Sequence, residues 1–203
     1  GKGVLISAAP DILYAEDTTG NGKADIRRVL LTGFREGNQQ HRMNGFALGL
    51  DNWIYAANGD SGGSIESLKT GNTISIRGRD VRIRPDAGGL EAISGQTQFG
   101  RCCDDYGNWF GGNNSNPMWH YALEERYLRR NPHFAPPGVR RAVSVRSRAA
   151  PIYPTSRTLT RFNDFDKSNR FTSACSPIIF RDDSVAEASQ AFAYVCEPVH
   201  NLG

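Results

Sequence analysis

Residues 39–60 contain polar side chains of the types that bind ligands. These side chains border two segments with the composition of β-strands. The apolar runs 46–50 and 53–57 flank the turn-forming pair Asp51-Asn52, and this order predicts a β-hairpin. In a closed all-β architecture both ends of such a hairpin face one rim, where ligands bind. We therefore predict a site built from the polar residues at the two ends, which are Gln39, Gln40, His41, Arg42, Asn44, Asn58, Asp60 and Ser61. Within it, Gln40, Asn44 and Asp60 are the candidate substrate-binding residues.

His41 is the candidate catalytic base of this site. A neutral imidazole accepts a proton at neutral pH, and the neighbouring glutamine, arginine and asparagine side chains suit a polar reaction site. A histidine near the start of a strand is also often a structural residue held by hydrogen bonds. The residues alone leave both roles open.

A second candidate site lies between two predicted strands, at residues 11–15 and 25–31. The intervening loop places oxygen donors at positions one, three, five, seven and nine, with Gly22 at position six, as in calcium loops. The predicted metal ligands are Asp17, Thr19, Asn21, the backbone carbonyl of Lys23, and Asp25. Two ligand positions lack carboxylates and no glutamate occupies position twelve, so an Asx-rich turn without metal is the alternative. If Ca²⁺ binds here, we expect it to be structural.

Length and composition limit the class of protein. A chain of 203 residues with 38% hydrophobic residues, 22 Gly and 10 Pro suits one turn-rich β domain. No apolar run is long enough to span a membrane, and a net charge of +3 is too small to indicate nucleic-acid binding. Because the sequence starts at Gly1 with no signal peptide, we expect a piece of a longer protein, with any membrane attachment outside it.

The four cysteines do not form a zinc or haem-attachment motif. Cys102 and Cys103 are adjacent, whereas Cys175 and Cys196 each border a strand-like run. We expect a disulfide between Cys175 and Cys196 across neighbouring strands, which would indicate an extracytoplasmic compartment. Two free thiols are the alternative.

The rest of the chain predicts strands, loops and one insertion. We expect a loop at 61–72, strands at 73–76, 80–84 and 90–93, and a solvent-facing side for Arg82 and Arg84, which alternate with Val81 and Ile83. Residues 124–169 are predicted to be an insertion, with a short helix at 124–130 and a proline-rich loop after it.

The hairpin organisation repeats along the chain. Aligning Tyr55 with Phe110 places two similar hairpins 55 residues apart, and a third copy runs from 171–180 to 191–196. Periods of about 40 to 55 residues built from four strands are typical of β-propeller blades. We therefore predict an all-β fold, with residues 1–203 forming a partial β-propeller of about three blades from a six-bladed ring.

These motifs resemble those of one family, the membrane-bound dehydrogenase domain of large bacterial haem-binding proteins, which is related to the quinoprotein glucose/sorbosone dehydrogenase propellers. The resemblance spans nearly the whole chain. It is carried by residues 15–25 (AEDTTGNGKAD), 37–45 (GNQQHRMNG), 49–55 (GLDNWIY), 94–101 (SGQTQFGR), 113–120 (NNSNPMWH), 161–165 (RFNDF), 169–175 (NRFTSAC) and 195–201 (VCEPVHN).

The resemblance implies a role for His41 as the base that removes a hydroxyl proton while hydride passes to pyrroloquinoline quinone. Cationic and amide side chains suit the carboxylates of that cofactor. The candidates are Arg42, Gln96, Gln98, Arg101 and Arg170, for which hydrogen bonding between blades is the alternative role. The resemblance also implies a periplasmic or otherwise extracytoplasmic location and a cytochrome c module, which would lie outside this chain.

Three functions follow as hypotheses. The first is an oxidoreductase that oxidises a sugar or alcohol with a quinone as hydride acceptor. The second is a noncatalytic propeller that binds carbohydrate or protein at the same rim. The third is a polysaccharide lyase, in which His41 and Arg42 would abstract a proton next to a uronate carboxylate. Propellers support all of these functions, so the fold alone does not separate them.

Overall fold

The computed structural model describes residues 3–135, 137–145, 150–155, 169–181 and 192–202. The chain divides into two compact units, Gly1–Gln96 (unit 1) and Thr97–Gly203 (unit 2). The described residues form an all-β structure with four antiparallel sheets, none of them closed. The predicted fold class is therefore confirmed at the level of all-β.

Unit 1 contains nine strands in two sheets. Sheet A has the order β1-β2-β3-β6-β7, and sheet B has the order β4-β5-β8-β9. The strands are β1 (Val4–Ala8), β2 (Asp11–Glu16), β3 (Ile26–Phe34), β4 (Asn44–Leu48), β5 (Ile54–Ala57), β6 (Gly63–Ser67), β7 (Thr73–Ser75), β8 (Asp80–Arg84) and β9 (Gly89–Ile93).

The core of unit 1 is shared by these two sheets. Alternation along the strands turns one apolar row inward, and each fully buried large aliphatic or aromatic side chain stabilises the fold by about 1.5–3 kcal/mol. The buried cluster consists of Ile12, Leu31, Phe34, Met43, Ala56, Ile65, Ile76, Val81 and Ile83. Packing of strands from both sheets around this cluster sets the positions of the loops at their ends.

The predicted hairpin in the middle of unit 1 is confirmed. β4 pairs antiparallel with β5, with Ala47 opposite Tyr55. The turn is closed by a hydrogen bond from the Gly49 N–H to the Trp53 carbonyl, and Asn52 has a φ of 60°. The predicted pairing of β2 with β3 and the strands near 73–76, 80–84 and 90–93 are also present.

The predicted loop at 61–72 is wrong, because β6 lies inside it and pairs with β3. A single large apolar residue, Ile65, is fully buried there, and the Ser67 hydroxyl donates a hydrogen bond to the Gly88 carbonyl. A Gly/Ser-rich composition predicts a loop, but burial of Ile65 and pairing with a long neighbouring strand outweigh it.

The prediction of a solvent-facing side for β8 is wrong at Arg82, which is only 4% exposed. Its guanidinium lies over the Trp53 ring and forms ion pairs with Asp51 and Glu91. Arg84 is exposed, as predicted. Paired carboxylates and an aromatic face satisfy a buried cation, so alternation of charged residues did not indicate exposure here.

Unit 2 contains a four-stranded sheet C, ordered β10-β11-β12-β13, and a two-stranded sheet D, β14-β15. Its described elements are β10 (Cys102–Cys103), β11 (Trp109–Asn113), β12 (Asn116–Tyr121), α1 (Glu125–Leu128), β13 (Arg140–Ala142), β14 (Cys175–Phe180) and β15 (Phe192–Cys196).

The second and third predicted hairpins are present as β10-β11 and β14-β15. Residues 182–191, between the two strands of the third hairpin, lie outside the described residues, as does the family motif at 161–165. Helix α1 confirms the short helix expected near 124–130. The stretch after it is not all loop, because β13 pairs with β12.

Within the part of the chain that the structure describes, no helix is both long and apolar enough to cross a membrane.

Candidate functional site

A polar cleft of about 640 Å³ opens in unit 1, where the ends of strands from sheets A and B meet. Two arginines, Arg35 and Arg77, line it together with Asp60 and Gln96. The Gln96 side-chain amide donates a 3.0 Å hydrogen bond to the Asp60 carboxylate. Serine and glycine residues complete the lining, at Ser61, Gly62, Gly63, Ser64, Ser75 and Gly78.

The cleft depends on Asn58, a buried residue directly after β5. Its side-chain amide donates hydrogen bonds to the Ile76 and Arg79 carbonyls, at 2.6 and 2.8 Å, and its side-chain oxygen accepts the Gly62 N–H at 2.7 Å. The Asn58 N–H donates to the buried Asp80 carboxylate. Asn58 therefore ties the loop after β5 to the segment before β8, which forms the opposite wall.

The loop after β5 has a backbone that favours glycine. Gly59, Asp60, Gly62 and Gly63 all have positive φ values, with Asp60 at 70°. A left-handed conformation at a residue other than glycine is often found at functional sites. At Asp60 this conformation lies on the wall of the cleft, where the carboxylate accepts the Gln96 hydrogen bond.

The predicted base, His41, lies beside this loop. Residues Gln39–His41 form a 3-10 turn, capped by the Asn38 side chain, which accepts the Gln40 N–H. The Ser61 hydroxyl, on the cleft wall, donates to the His41 carbonyl. The His41 segment is thus joined to the cleft by a direct hydrogen bond.

The other predicted residues near His41 hold the local backbone. The Asn44 side chain donates to the Arg42 carbonyl at 2.8 Å, and the Arg42 Nε donates to the Glu36 carbonyl at 2.7 Å. Gln40 is exposed. Asp60, Ser61 and Gln96 are therefore the predicted residues that line the cleft, while Gln40, Arg42 and Asn44 belong to the neighbouring segment.

Three predicted cofactor-binding residues belong to unit 2. Gln98 is 2% exposed, and its side-chain oxygen accepts the Asn114 N–H. Arg101 is also buried, with its guanidinium 4.6 Å from the centre of the Tyr121 ring. Arg170 is partly buried and forms an isolated β-bridge with Pro151. Gln98 and Arg101 thus make contacts inside their own unit, and a role for the three in cofactor binding stays a prediction.

Sequence reasoning missed Arg35 and Arg77. Both stand next to strand ends, Arg35 directly after β3 and Arg77 between β7 and β8. Charged residues at strand ends commonly line sites, so their positions were a usable signal. Their convergence on one cleft depends on the pairing of β6 with β3, which the sequence did not indicate.

The predicted calcium loop joins β2 to β3. The Asp17 carboxylate accepts backbone N–H groups from Thr19, Gly20, Asn21 and Gly22. The Asp25 carboxylate accepts the N–H and hydroxyl of Thr18, and the Asn21 side chain accepts the Lys23 N–H. The loop therefore has the compact Asx-turn geometry that both alternatives share.

The two carboxylates of this loop have lowered pKa values. Hydrogen bonds lower the pKa of Asp17, chiefly from the Gly22 N–H, and that of Asp25, chiefly from the Thr18 hydroxyl. Among the described residues, no three His, Cys, Asp or Glu side chains cluster as metal ligands. Calcium would thus rely on neutral oxygens beside these two carboxylates, and its binding stays a prediction.

Fold and site together define an all-β domain with an arginine-lined polar cleft. The chain belongs to the family described as a domain of unknown function, DUF7133, whose model matches residues 1–202. No curated protein and no solved structure matches it.

Replacing Asn58 by alanine tests the anchor of the cleft. We expect Asn58→Ala to lower the free energy of unfolding by roughly 3 kcal/mol, because this buried side chain loses three hydrogen bonds of about 1 kcal/mol each. Asn72→Ala, at an exposed asparagine in the same unit, should change it by less than about 0.5 kcal/mol. Urea unfolding measures both variants, and similar losses in the two would contradict the anchoring role.

Replacing Gly59 by alanine tests the close packing of the loop against the His41 segment. Gly59 and Gly71 both have a φ of +72°, but a Cβ at Gly59 would lie 2.1 Å from the Arg42 carbonyl oxygen, whereas at Gly71 it meets nothing within 4 Å. Gly71→Ala should cost about 1–2 kcal/mol, from backbone strain alone. Gly59→Ala should cost clearly more in the same urea experiment, and an equal cost would show that the segments separate easily.

Replacing Asp17 by asparagine tests the lowered pKa of this carboxyl group. Because folding lowers this pKa below the ordinary value of 3.8, the ionised group stabilises the fold above about pH 4, and that stabilisation is lost as the pH falls through the lowered pKa. In urea unfolding with chelator present, wild type should therefore be more stable than Asp17→Asn at pH 7.

The stability gap between wild type and Asp17→Asn should narrow as the pH falls through the lowered pKa of Asp17, because wild type then becomes protonated as well. A gap that does not change with pH would contradict the ionised cap. Repeating the pH 7 measurement with Ca²⁺ in place of chelator adds a test of the metal, since a bound ion should stabilise wild type more than the variant.

Proposed function

We propose that this domain is a β-propeller oxidoreductase that binds a quinone cofactor in the unit 1 cleft and oxidises a sugar or alcohol, with His41 as the base. The observation that carries the proposal is the convergence of Arg35, Arg77 and Gln96 on a cleft whose wall is hydrogen-bonded to the His41 segment. The four-stranded antiparallel sheets B and C, one in each unit, support the propeller part of the proposal.

The residues of the cleft fit the proposed cofactor chemically. Pyrroloquinoline quinone carries several carboxylates, which need cationic and amide partners, and guanidinium groups bind carboxylates strongly. Two arginines and one glutamine line the cleft. Its volume of about 640 Å³ also lies within the range of small-molecule sites, roughly 300–1,000 Å³.

Each side chain has a defined part in this proposal. Arg35 and Arg77 bind and orient the carboxylates of the cofactor, which supplies a hydride acceptor when bound. An imidazole nitrogen of His41 accepts the proton of the substrate hydroxyl. Asp60, oriented by Gln96, accepts a hydrogen bond from a second substrate hydroxyl. A cytochrome c module outside this chain would be the electron acceptor.

The alternative is a noncatalytic carbohydrate-binding propeller. The hydrogen-bonded pair Asp60 and Gln96, together with the serine hydroxyls of the cleft, favours it, because carboxylate and amide groups commonly bind sugar hydroxyls. This alternative needs neither cofactor nor base. It is therefore separated from the first proposal by quinone binding and by turnover.

Quinone binding tests the cofactor part of the proposal. Titrating the chain with pyrroloquinoline quinone, followed by tryptophan fluorescence, should show saturable binding. Arg35→Gln and Arg77→Gln should each weaken it by roughly tenfold or more, since a charged hydrogen bond contributes about 1.5–3 kcal/mol. Arg27→Gln, at an exposed arginine on β3 outside the cleft, is the matched control and should bind like wild type.

A dye-linked assay over a panel of sugars and alcohols tests the base. His41→Ala should lower kcat by roughly 10²–10⁴-fold with quinone affinity unchanged, as expected for loss of a general base. Saccharide binding without quinone binding or turnover would instead establish the noncatalytic propeller. An unsaturated uronate product, detected by its absorbance, would indicate a lyase.

A further inference from the structure

Cys175 and Cys196 stand opposite each other at one end of sheet D. They are Cα partners in the antiparallel pairing of β14 with β15. Directly opposed residues in such a pair have Cα atoms about 4.5–5.5 Å apart, and disulfides span Cα separations of about 4.4–6.8 Å. The backbone therefore brings these two thiols to a separation that a disulfide can bridge.

The two cysteines are exposed to solvent to different degrees. The structure holds the two cysteines as free thiols, with Cys196 exposed and Cys175 partly buried. Burial raises the pKa of the Cys175 thiol, and the nearby Cys196 and Glu197 raise it further. Cys196 is thus the more accessible nucleophile, and Cys175 lies close enough to act second.

The thiol pair adjoins a buried polar clamp between the same two chain segments. The Glu197 carboxylate, fully buried, accepts the N–H groups of Thr172 and Ser173. It also lies 3.2 Å from Nδ1 of the buried His200, whose Nε2 accepts the Asn169 N–H at 3.1 Å. We call Glu197, His200 and these donors the Glu197 clamp.

The clamp and the thiol pair tie the same two segments together. Residues 169–175 form one side, and residues 196–200 form the other. Cys196 directly precedes Glu197, and Cys175 follows Ser173 by two positions. A covalent bond between the two cysteines would therefore hold the segments in the same arrangement as the hydrogen bonds of the clamp.

We propose that Cys175 and Cys196 form a reversible disulfide by exchange with low-molecular-weight disulfides, and that this bond reinforces the Glu197 clamp. The pair is a redox modification site. When it is reduced, strand pairing and the hydrogen bonds of the clamp hold the two segments, and when it is oxidised, the covalent bond adds to them.

The exchange is balanced with oxidised glutathione as the oxidant. The Cys196 thiol loses its proton to solvent, and the thiolate attacks one sulfur of glutathione disulfide. The S–S bond of that disulfide breaks, and one glutathione leaves as a thiolate that takes up a proton. The Cys175 thiolate then attacks the Cys196 sulfur and releases the second glutathione. The protein loses two hydrogens, and one glutathione disulfide becomes two glutathione thiols.

Cys102 and Cys103 provide an internal comparison. They are neighbours along β10, so their side chains point to opposite faces of the strand. Burial also raises the pKa of Cys102 to about 11, which leaves little thiolate at neutral pH. We expect this adjacent pair to stay reduced under conditions that oxidise the other pair.

Oxidised glutathione tests the modification. After incubation of the folded chain and alkylation of remaining thiols, peptide mapping should show a cross-link between the peptides of Cys175 and Cys196, with Cys102 and Cys103 alkylated. The double variant Cys102→Ser, Cys103→Ser should form the same cross-link, whereas Cys175→Ser should stop at a glutathione adduct on Cys196. Unmodified thiols, or cross-links that involve Cys102 or Cys103, would overturn the proposal.

Thermal unfolding tests the link to the clamp. Oxidation should raise the Tm of wild type by roughly 5–10 °C, as expected for a disulfide in a chain of this size. Glu197→Gln, which keeps the shape but removes the charge, should lower the Tm more in the reduced protein than in the oxidised protein. An equal decrease in both forms would show that the disulfide and the clamp act independently, and would overturn the second half of the proposal.

Discussion

The site in unit 1 depends on one buried amide. Asn58 sits where β5 ends, and its side chain satisfies two carbonyls of the segment before β8 and one N–H of its own loop. Polar groups buried without partners destabilise a fold, so this set of bonds strongly favours a single loop conformation. The left-handed residues that follow, including Asp60, hold positions that an unanchored loop would not keep. The cleft is thus a consequence of hydrogen bonding that starts in the core and ends at the surface.

Unit 2 has a similar arrangement, in which a buried carboxylate takes the place of the amide. The buried Glu197 carboxylate joins residues 172 and 173 to His200, much as Asn58 joins two segments of unit 1. In both units a short irregular segment is held by hydrogen bonds to a buried polar side chain where strand pairing ends. Backbone N–H groups outside a sheet still need partners, and a buried polar side chain supplies them. The adjacent thiols of unit 2 allow a disulfide cross-link. Unit 1 has no such cross-link because its sequence contains no cysteine.

Hairpins were the features most easily predicted. The turn at Asp51-Asn52 and the aromatic strand after it form from local chemistry, because turn residues and β-branched or aromatic residues act over a few positions. Residue composition did not predict a strand whose pairing partner is distant in the sequence. β6 contains one large apolar residue among glycine and serine, and only its partner β3 makes it a strand. The prediction for Arg82 was wrong for the same reason, because the groups that bury it lie elsewhere in the chain: Asp51 and Trp53 in the turn before β5, and Glu91 on β9.

The sequence by itself determined the all-β class, the three hairpins, the turn-like loop between β2 and β3, and the polar character of the segments around His41 and Asp60. These features follow from residue type and short spacing. Only the tertiary structure decided which polar residues meet. It brought Arg35, Arg77 and Gln96 to Asp60, left Gln98 and Arg101 inside unit 2, and set Cys175 opposite Cys196. The reason is physical: strand register and pairing depend on burial across distant segments, so a shift of one residue would turn every side chain to the other face.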